Sequence, residues 1–217
     1  MLEILHQDQD VLAVAKPANL LCVPGLCTDD NLFDRVRQNW PNARVVHRLD
    51  MATSGIVLFA LSHASQVALG RQFEQRRVTK RYSAVVEGRV LAQCGEIALP
   101  LICDWPNRPR QMVDWNQGRA AHTYFEVVQR AKDMTHLRLY PLTGRSHQLR
   151  VHCQQIGHPI LGDSLYGNPT RSDRLMLHAD FIRFFHPASQ HPVQIECPAP
   201  FAPEACSLNT LSSSTAI

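Results

Sequence analysis

The segment DVLAVAKP, residues 10–17, sets apolar against polar positions as a half-buried strand does, and turn chemistry at Pro17, Asn19, Pro24 and Gly25 closes it. Residues 31–39 read as a short helix ending before Pro41. From His47 to Gly55 the chain is a polar, glycine-containing loop, and it feeds the apolar run Ile56 to Leu61. That run is too short for a helix and rich in strand formers, so a buried strand is predicted. Ser62 is the expected N-cap of a helix over 63–77, with Ala64, Val67, Ala68 and Phe73 near one face and Arg71, Gln75 and Arg76 elsewhere. TKRYSAVVEGRV then reads as a strand with Tyr82, Ala84 and Val86 on one side, and further strands are expected at 122–129 and 136–141. SHQLRVHCQQIG reads as a helix capped by Ser146, with Leu149, His152, Cys153 and Ile156 at helical spacing and Gly157 just past its end. A last strand pair is expected around 175–184 and 192–197. No repeat or shift of composition divides the chain. One domain over 1–205 is expected, with the Ser/Thr-rich end, 206–217, as a frayed tail.

Composition adds exclusions. With 217 residues, 45% hydrophobic and 19% charged, the chain has the proportions of a globular protein and excludes disorder and fibrous folds. The N-terminus carries acids where a signal peptide needs bases, and no window approaches the roughly 18 apolar residues of a membrane span. Seven scattered cysteines without a C-x-x-C pair predict free thiols, so a cytoplasmic protein with no membrane partner is expected. His147 and His152 lie five apart, the wrong relation for a zinc pair on a helix, and no metal site is expected.

Charge sharpens the picture. The net value is only +3, yet residues 1–34 hold one base against six acids while residues 35–81 hold nine bases against Asp50 and Glu74. Nineteen of the 22 bases are Arg, whose planar fork grips phosphate bidentately and stacks on bases. A genome rich in Arg codons would give the same excess, but clustering in 35–81 favours a polyanion partner.

Three polar elements sit inside apolar surroundings: His47-Arg48-Leu49-Asp50, Lys80-Arg81-Tyr82, and Thr143-Gly144-Arg145-Ser146-His147-Gln148. Each falls at a strand end or loop, where sites are usually built. Each also has a plain structural reading: Asp50 as a turn cap, Arg145 as a helix-initiating residue, Tyr82 as a core tyrosine. Periodicity alone does not bring the three together.

HRLDMATSGIVLFAL, KRYSAVVEG, TGRSHQLRVH and GHPILGDSLYG resemble, in order and over roughly residues 8–200, the motif series of the RluA family of pseudouridine synthases. DWPNRPRQMV at 104–113, with no added N-terminal RNA-binding domain, is similar to the short branch that modifies both large-subunit ribosomal RNA and the tRNA anticodon arm. Asn19 stands where the family usually has Gly, and Arg119 where Lys is common; Asn tolerates a left-handed backbone and Arg keeps the charge.

The resemblance implies an α+β fold, a mixed, largely antiparallel sheet with flanking helices and a central basic cleft. It implies an isomerase that breaks the N-glycosidic bond of uridine, turns the base and joins C5 to the same sugar carbon. No redox change or energy input is involved, and no cofactor is expected. Asp50 is the implied carboxylate, attacking the anomeric carbon or removing a neighbouring proton. Desolvation penalises its charged form, so a guanidinium partner is needed, and Arg145 is the expected one. Tyr82 is expected to stack on the uracil, with help in the final proton step as its weaker role, since a phenol is a poor base at neutral pH. Leu175 or Leu177 is expected to pack on the base's other side. Arg48 is the expected wedge filling the space of the extruded uridine, and Arg76, Arg77, Lys80 and Arg81 the expected RNA contacts. The expected partner is RNA, bound by a monomer. Two rivals remain: a catalytically silent RNA-binding or RNA-folding protein, and a glycoside hydrolase, which needs a second carboxylate that the motifs lack.

Overall fold

The strands Val11–Lys16 (β2) and Ser54–Ala60 (β4) bury nearly every side chain, because both faces of the sheet are covered where they run. This accounts for unbroken apolar runs where a one-sided strand would alternate. The computed structural model describes residues 2–25 and 30–201. Around this pair the remaining elements are, in chain order, β1 (Glu3–Gln7), α1 (Leu32–Arg37), β3 (Arg44–Val45), α2 (His63–Glu74), β5 (Thr79–Glu87), β6 (Cys94–Ile97), β7 (Leu101–Cys103), β8 (Gln111–Val113), β9 (Thr123–Arg130), β10 (Met134–Pro141), α3 (Gln148–Gln155), β11 (Leu177–Phe185) and β12 (Pro192–Glu196). The main sheet runs β1-β2-β4-β11-β5-β10-β9-β6, with β12 on β11 and β3 on β4, while β7 and β8 form a separate hairpin. Every pairing between these strands is antiparallel except β4 with β11. The fold is the mixed, largely antiparallel α+β arrangement expected.

The parallel contact matters for the site. Ser54 and Gly55 pair with His178 and Ala179, and a Cβ on Gly55 would stand 2.3 Å from the Ala179 carbonyl oxygen, at a φ of +114°. Gly55 therefore lets β4 close against β11 directly after the His47–Thr53 loop, anchoring one end of that loop in the middle of the sheet.

Three apolar clusters hold the layers. Ala84, Val86, Leu137, Leu139 and Leu177 pack under α3 through Leu149 and Cys153. Val11, Ala13, Ile56, Leu58, Ile182 and Phe184 pack against Leu69 of α2. Leu12, Val14, Val57 and Phe59 meet Leu32 and Val36 of α1 on the opposite face.

Several sequence expectations need correction. The buried face of α2 is Ser65, Leu69 and Gln72, with Val67 left 40% exposed. Polar residues are tolerated inside because they are satisfied: the Gln72 amide donates to the Phe185 carbonyl and accepts from the Phe185 N–H, and Ser65 donates to Asp10. The helix stops at Glu74 rather than 77, as Arg76 takes a left-handed φ of 58°. α3 starts one residue later than expected: its N-cap is His147, at φ 53°, not Ser146. No side chain caps the helix; Gln148 instead ties its first turn to the preceding loop, its Oε1 accepting from the Arg145 N–H and the Thr143 hydroxyl. Strands β1, β3, β6, β7 and β8 were not anticipated; all are short, and edge strands bury too little to print an alternating pattern. Asn19 takes the left-handed φ of 62° that its place in the turn called for. The expected tail at 206–217 lies outside the described residues.

Candidate active site

Two loops, strands of the sheet and the start of α3 meet at one cavity. A pocket of about 200 Å³ is lined by Arg48, Asp50 and Thr53 from the loop before β4, Lys80 and Tyr82 from β5, Thr143 to His147 from the β10–α3 connection, Gln148 to Arg150 from the first turn of α3, and Leu177 of β11. The three polar elements that periodicity left apart thus share one site.

Asp50 is placed by its loop and not by a cap of its own. The Leu49 N–H donates to Cys22 Sγ at 3.1 Å, and the Thr53 N–H donates to the Asp50 carbonyl at 3.1 Å. Lys16, 1% exposed, donates its Nζ to the carbonyls of Pro17, Leu20 and Met51 at 2.8, 2.7 and 2.9 Å. One ammonium thus ties the turn after β2 to the residue following Asp50. Burial pushes the Lys16 amine down to about 8, against a smaller opposing pull from Cys22 and Asp50. His47, at the start of the loop, accepts from the Leu58 N–H and stacks on Phe73; burial pushes it down to about 3, so it stays neutral and structural.

The cation beside Asp50 is Arg150, not Arg145. Arg150 Nη1 lies 3.8 Å from Asp50 Oδ2. Its other edge forms a fork with the fully buried Asp163, Nε to Oδ2 at 2.8 Å and Nη2 to Oδ1 at 2.7 Å, and its face rests on the Tyr166 ring. Asp163 Oδ1 also accepts from the N–H groups of Leu165 and Tyr166. Helical spacing gives the reason for the correction. Arg145 precedes α3 and turns outward, its Nε donating to the Ala120 carbonyl at 3.2 Å, whereas Arg150 lies within the helix on the face toward Asp50. Arg145 still lines the pocket, and burial together with nearby Arg119 and Arg76 lowers its affinity for its proton.

Tyr82 packs among the core residues around Ala84 and Leu177 with its ring at the cavity. Burial, reinforced by Asp50 and Cys22, pushes its phenol well above its ordinary value, so it remains protonated at neutral pH. Leu177 reaches the pocket; Leu175 is buried and absent from its lining. Lys80 borders the site with Nζ 3.4 Å from the Thr143 carbonyl, and burial pushes it down to about 8. Arg48 is exposed at the rim, and Arg76 lines the two neighbouring cavities.

Two expected RNA contacts are otherwise occupied. Arg81 pairs with Asp180 at 3.1 Å and lies over the Phe181 ring, and Arg77 lies over the Phe185 ring. The histidines are engaged within the fold: His147 Nδ1 with the Tyr166 hydroxyl, His152 with Thr123 and the Leu99 carbonyl, His158 with the Glu87 carbonyl. Arg150, Asp163 and Lys16 are the residues sequence reasoning passed over, although all three stand in quoted segments. A buried charge in an apolar stretch, Lys16 after VLAVA, is a signal that was available.

The family described as RNA pseudouridylate synthase matches residues 10–155. Curated relatives include the "Dual-specificity RNA pseudouridine synthase RluA" of Escherichia coli K12, 46% identical over 206 residues, which is 92% of this chain and 94% of that protein. The protein of the same name from Vibrio cholerae is 45% identical over 94% of this chain and 85% of its own length. Among solved structures, human RNA pseudouridylate synthase domain containing 1 superposes with a TM-score of 0.81 at 32% identity, covering 94% of this chain and 86% of that one.

Proposed function

We propose, for a chain that belongs to the RNA pseudouridylate synthase family and is thus an isomerase making pseudouridine in RNA, that Asp50 drives the reaction and that Arg150 and Tyr82 support it. The observation that carries this reading is that Asp50 is, among the described residues, the one carboxylate lining a pocket whose other charged lining residues include Arg48, Lys80, Arg145 and Arg150. A single carboxylate suits breaking and remaking one glycosidic bond at one carbon, either as nucleophile or as the base that removes the adjacent sugar proton. Arg150 sets a positive charge beside it, and Asp163 fixes the direction of that charge. Tyr82 offers a protonated ring for the uracil to stack on, with Leu177 as the apolar wall; its raised phenol makes it a platform rather than a base.

The substrates we infer are uridines in stem-loops of large-subunit ribosomal RNA, the tRNA anticodon arm, or both; the dual-specificity name of the relatives supports two RNA classes. Residues 1–205 would act as one catalytic unit, a monomer working in the cytoplasm. Among the described residues no helix is long and apolar enough to cross a membrane.

The test is release of tritium from an anticodon-arm stem-loop labelled at uridine C5. Isomerisation puts C5 into the new bond and sends its hydrogen to water, with pseudouridine as product. Binding without tritium release would favour the silent RNA-binding reading, and free uracil would favour a hydrolase.

A further inference from the structure

The cavity around Asp50 does not end at Arg145. It shares Lys80, Thr143, Gly144 and Arg145 with a second cavity lined by Arg76, and that one shares Arg76 and Thr143 with a third, bordered by Pro100, Ala121, His122 and Trp115. The three cavities thus adjoin in a row along shared walls, a trough in outline from the catalytic carboxylate to an indole that is 74% exposed.

Two guanidiniums line its outer part, and that of Arg119 lies close enough to act on one of them. Arg76 lines both outer cavities; Arg145 donates to the carbonyl of Ala120, the residue after Arg119; and both Arg76 and Arg119 bear on Arg145 electrostatically. None of the three forms an ion pair among the described residues. The acids nearby are Glu74, in the second cavity, Glu96, which His122 holds at 3.2 Å, and Asp114, whose carboxylate is taken up by backbone N–H groups of its own turn. Like charges gathered without counterions match an anion brought by a ligand.

Trp115 is exposed, and the turn that carries it is closed by hydrogen bonds. The Asp114 carboxylate accepts from the N–H groups of Asn116 and Gln117, both at 2.8 Å, and the Gly118 N–H donates to the Asp114 carbonyl. A Cβ on Gly118 would lie 2.2 Å from that carbonyl oxygen, so the turn closes only with glycine. Below it, β7 and β8 are fastened to the body by Leu101, Ala121, Val151 and Tyr166, and the Gln111 N–H donates to the Tyr166 hydroxyl. A large flat ring on a pinned turn loses little entropy when a base stacks on it.

We propose that the outer end of this trough is a subsite for one nucleotide flanking the target uridine, with its base stacked on Trp115 and its phosphate held by Arg76, Arg119 and Arg145. This rests on the reading of the chain as an enzyme acting on RNA. It adds a place where the neighbourhood of the uridine is read, at a residue that the reaction itself does not need.

The test is a double cycle in binding to an anticodon-arm stem-loop, measured for wild type, Trp115→Ala and Trp115→Phe. The RNA is either intact or carries an abasic residue at one loop position at a time. Trp115→Ala should weaken binding about ten- to a hundredfold, and Trp115→Phe should restore most of the loss. The loss should vanish when one particular flanking position is abasic. Arg119→Gln should flatten the dependence of log affinity on log salt. Undiminished affinity in Trp115→Ala, or a loss equal at every abasic position, would overturn the subsite. Wild-type turnover of the same stem-loop is measured alongside: turnover with undiminished Trp115→Ala affinity defeats the subsite alone, while its absence defeats the catalytic reading.

Discussion

Asp163 grips Arg150 by two hydrogen bonds of 2.8 and 2.7 Å and leaves the guanidinium's remaining nitrogen, Nη1, 3.8 Å from Asp50. A planar fork held along one edge has no freedom to swing, so the GDSLY turn, which carries Asp163, decides where the charge beside Asp50 points. Asp163 acts through Arg150 and is a positioning residue. Asp163→Asn should lower stability by about 3 kcal/mol or more, since it leaves a buried guanidinium without its counter-charge. It should also lower the single-turnover rate constant at saturating enzyme. A merely structural role would reduce the reacting fraction and leave that rate constant unchanged.

The two arginines should separate on conservative replacement. Arg150→Lys removes the double contact to Asp163 and should cost the reaction step tenfold or more, in line with about 1.5–3 kcal/mol for a lost charge-assisted hydrogen bond. Arg145→Lys keeps a charge that faces the trough and should leave the single-turnover rate and the salt dependence of binding nearly intact, whereas Arg145→Gln should flatten that dependence. The reverse ranking would return Arg145 to the role of partner to Asp50.

Asp50→Asn keeps the shape and removes the charge, so it should abolish tritium release with RNA affinity close to wild type. Turnover at even a tenth of the wild-type rate would sink its assignment as the catalytic carboxylate.

Lys16 gives a pH prediction with a definite sign. Its amine sits at about 8 in the folded protein, against about 10.4 for a free lysine, so between these values the unfolded chain holds a proton the folded one has released. Stability contributed by this residue therefore rises with pH across that window and is flat below it. Denaturant unfolding at pH 7 and pH 9.5 should show wild type gaining relative to Lys16→Met. Lys80, shifted the same way, is present in both proteins and cancels. Parallel pH profiles for the two proteins would show that Lys16 releases no proton in the window.

The buried strands were legible because their covered faces demand unbroken apolar runs, and the polar loop set before one of them was legible as a discontinuity. Its pattern alone left Asp50 a turn cap, and only the motif resemblance singled that residue out. Arg150 was not legible. Within QLRVHC a helical period marks which residues point inward, and an inward Arg reads as an exposed one until Asp163, 13 residues on, is known to fold back onto it. The same holds for Arg81, whose partner Asp180 arrives only through the pairing of β5 with β11. Spacing reports faces, and ion pairs depend on tertiary contact. The β7–β8 hairpin escaped for a different reason: strands of three residues carry no period.

Arg48 separates extrusion of the base from the chemistry that follows. It stands at the rim of the pocket, two residues before Asp50, exposed and without a hydrogen bond or ion pair among the described residues. Flipping a stacked uridine costs a few kcal/mol, and a flat cation entering the vacated space offsets part of that only when the target begins stacked. Arg48→Ala should therefore lose much more activity on a folded stem-loop than on an unstructured oligonucleotide carrying the same uridine. Asp50→Asn should lose both equally. Arg48 also lies where it could meet a backbone phosphate, which would weaken binding to both substrates alike, so the comparison belongs in single turnover with saturating enzyme. Equal losses under those conditions would mean that Arg48 is not the wedge and that its position serves the phosphate backbone or the placement of Asp50.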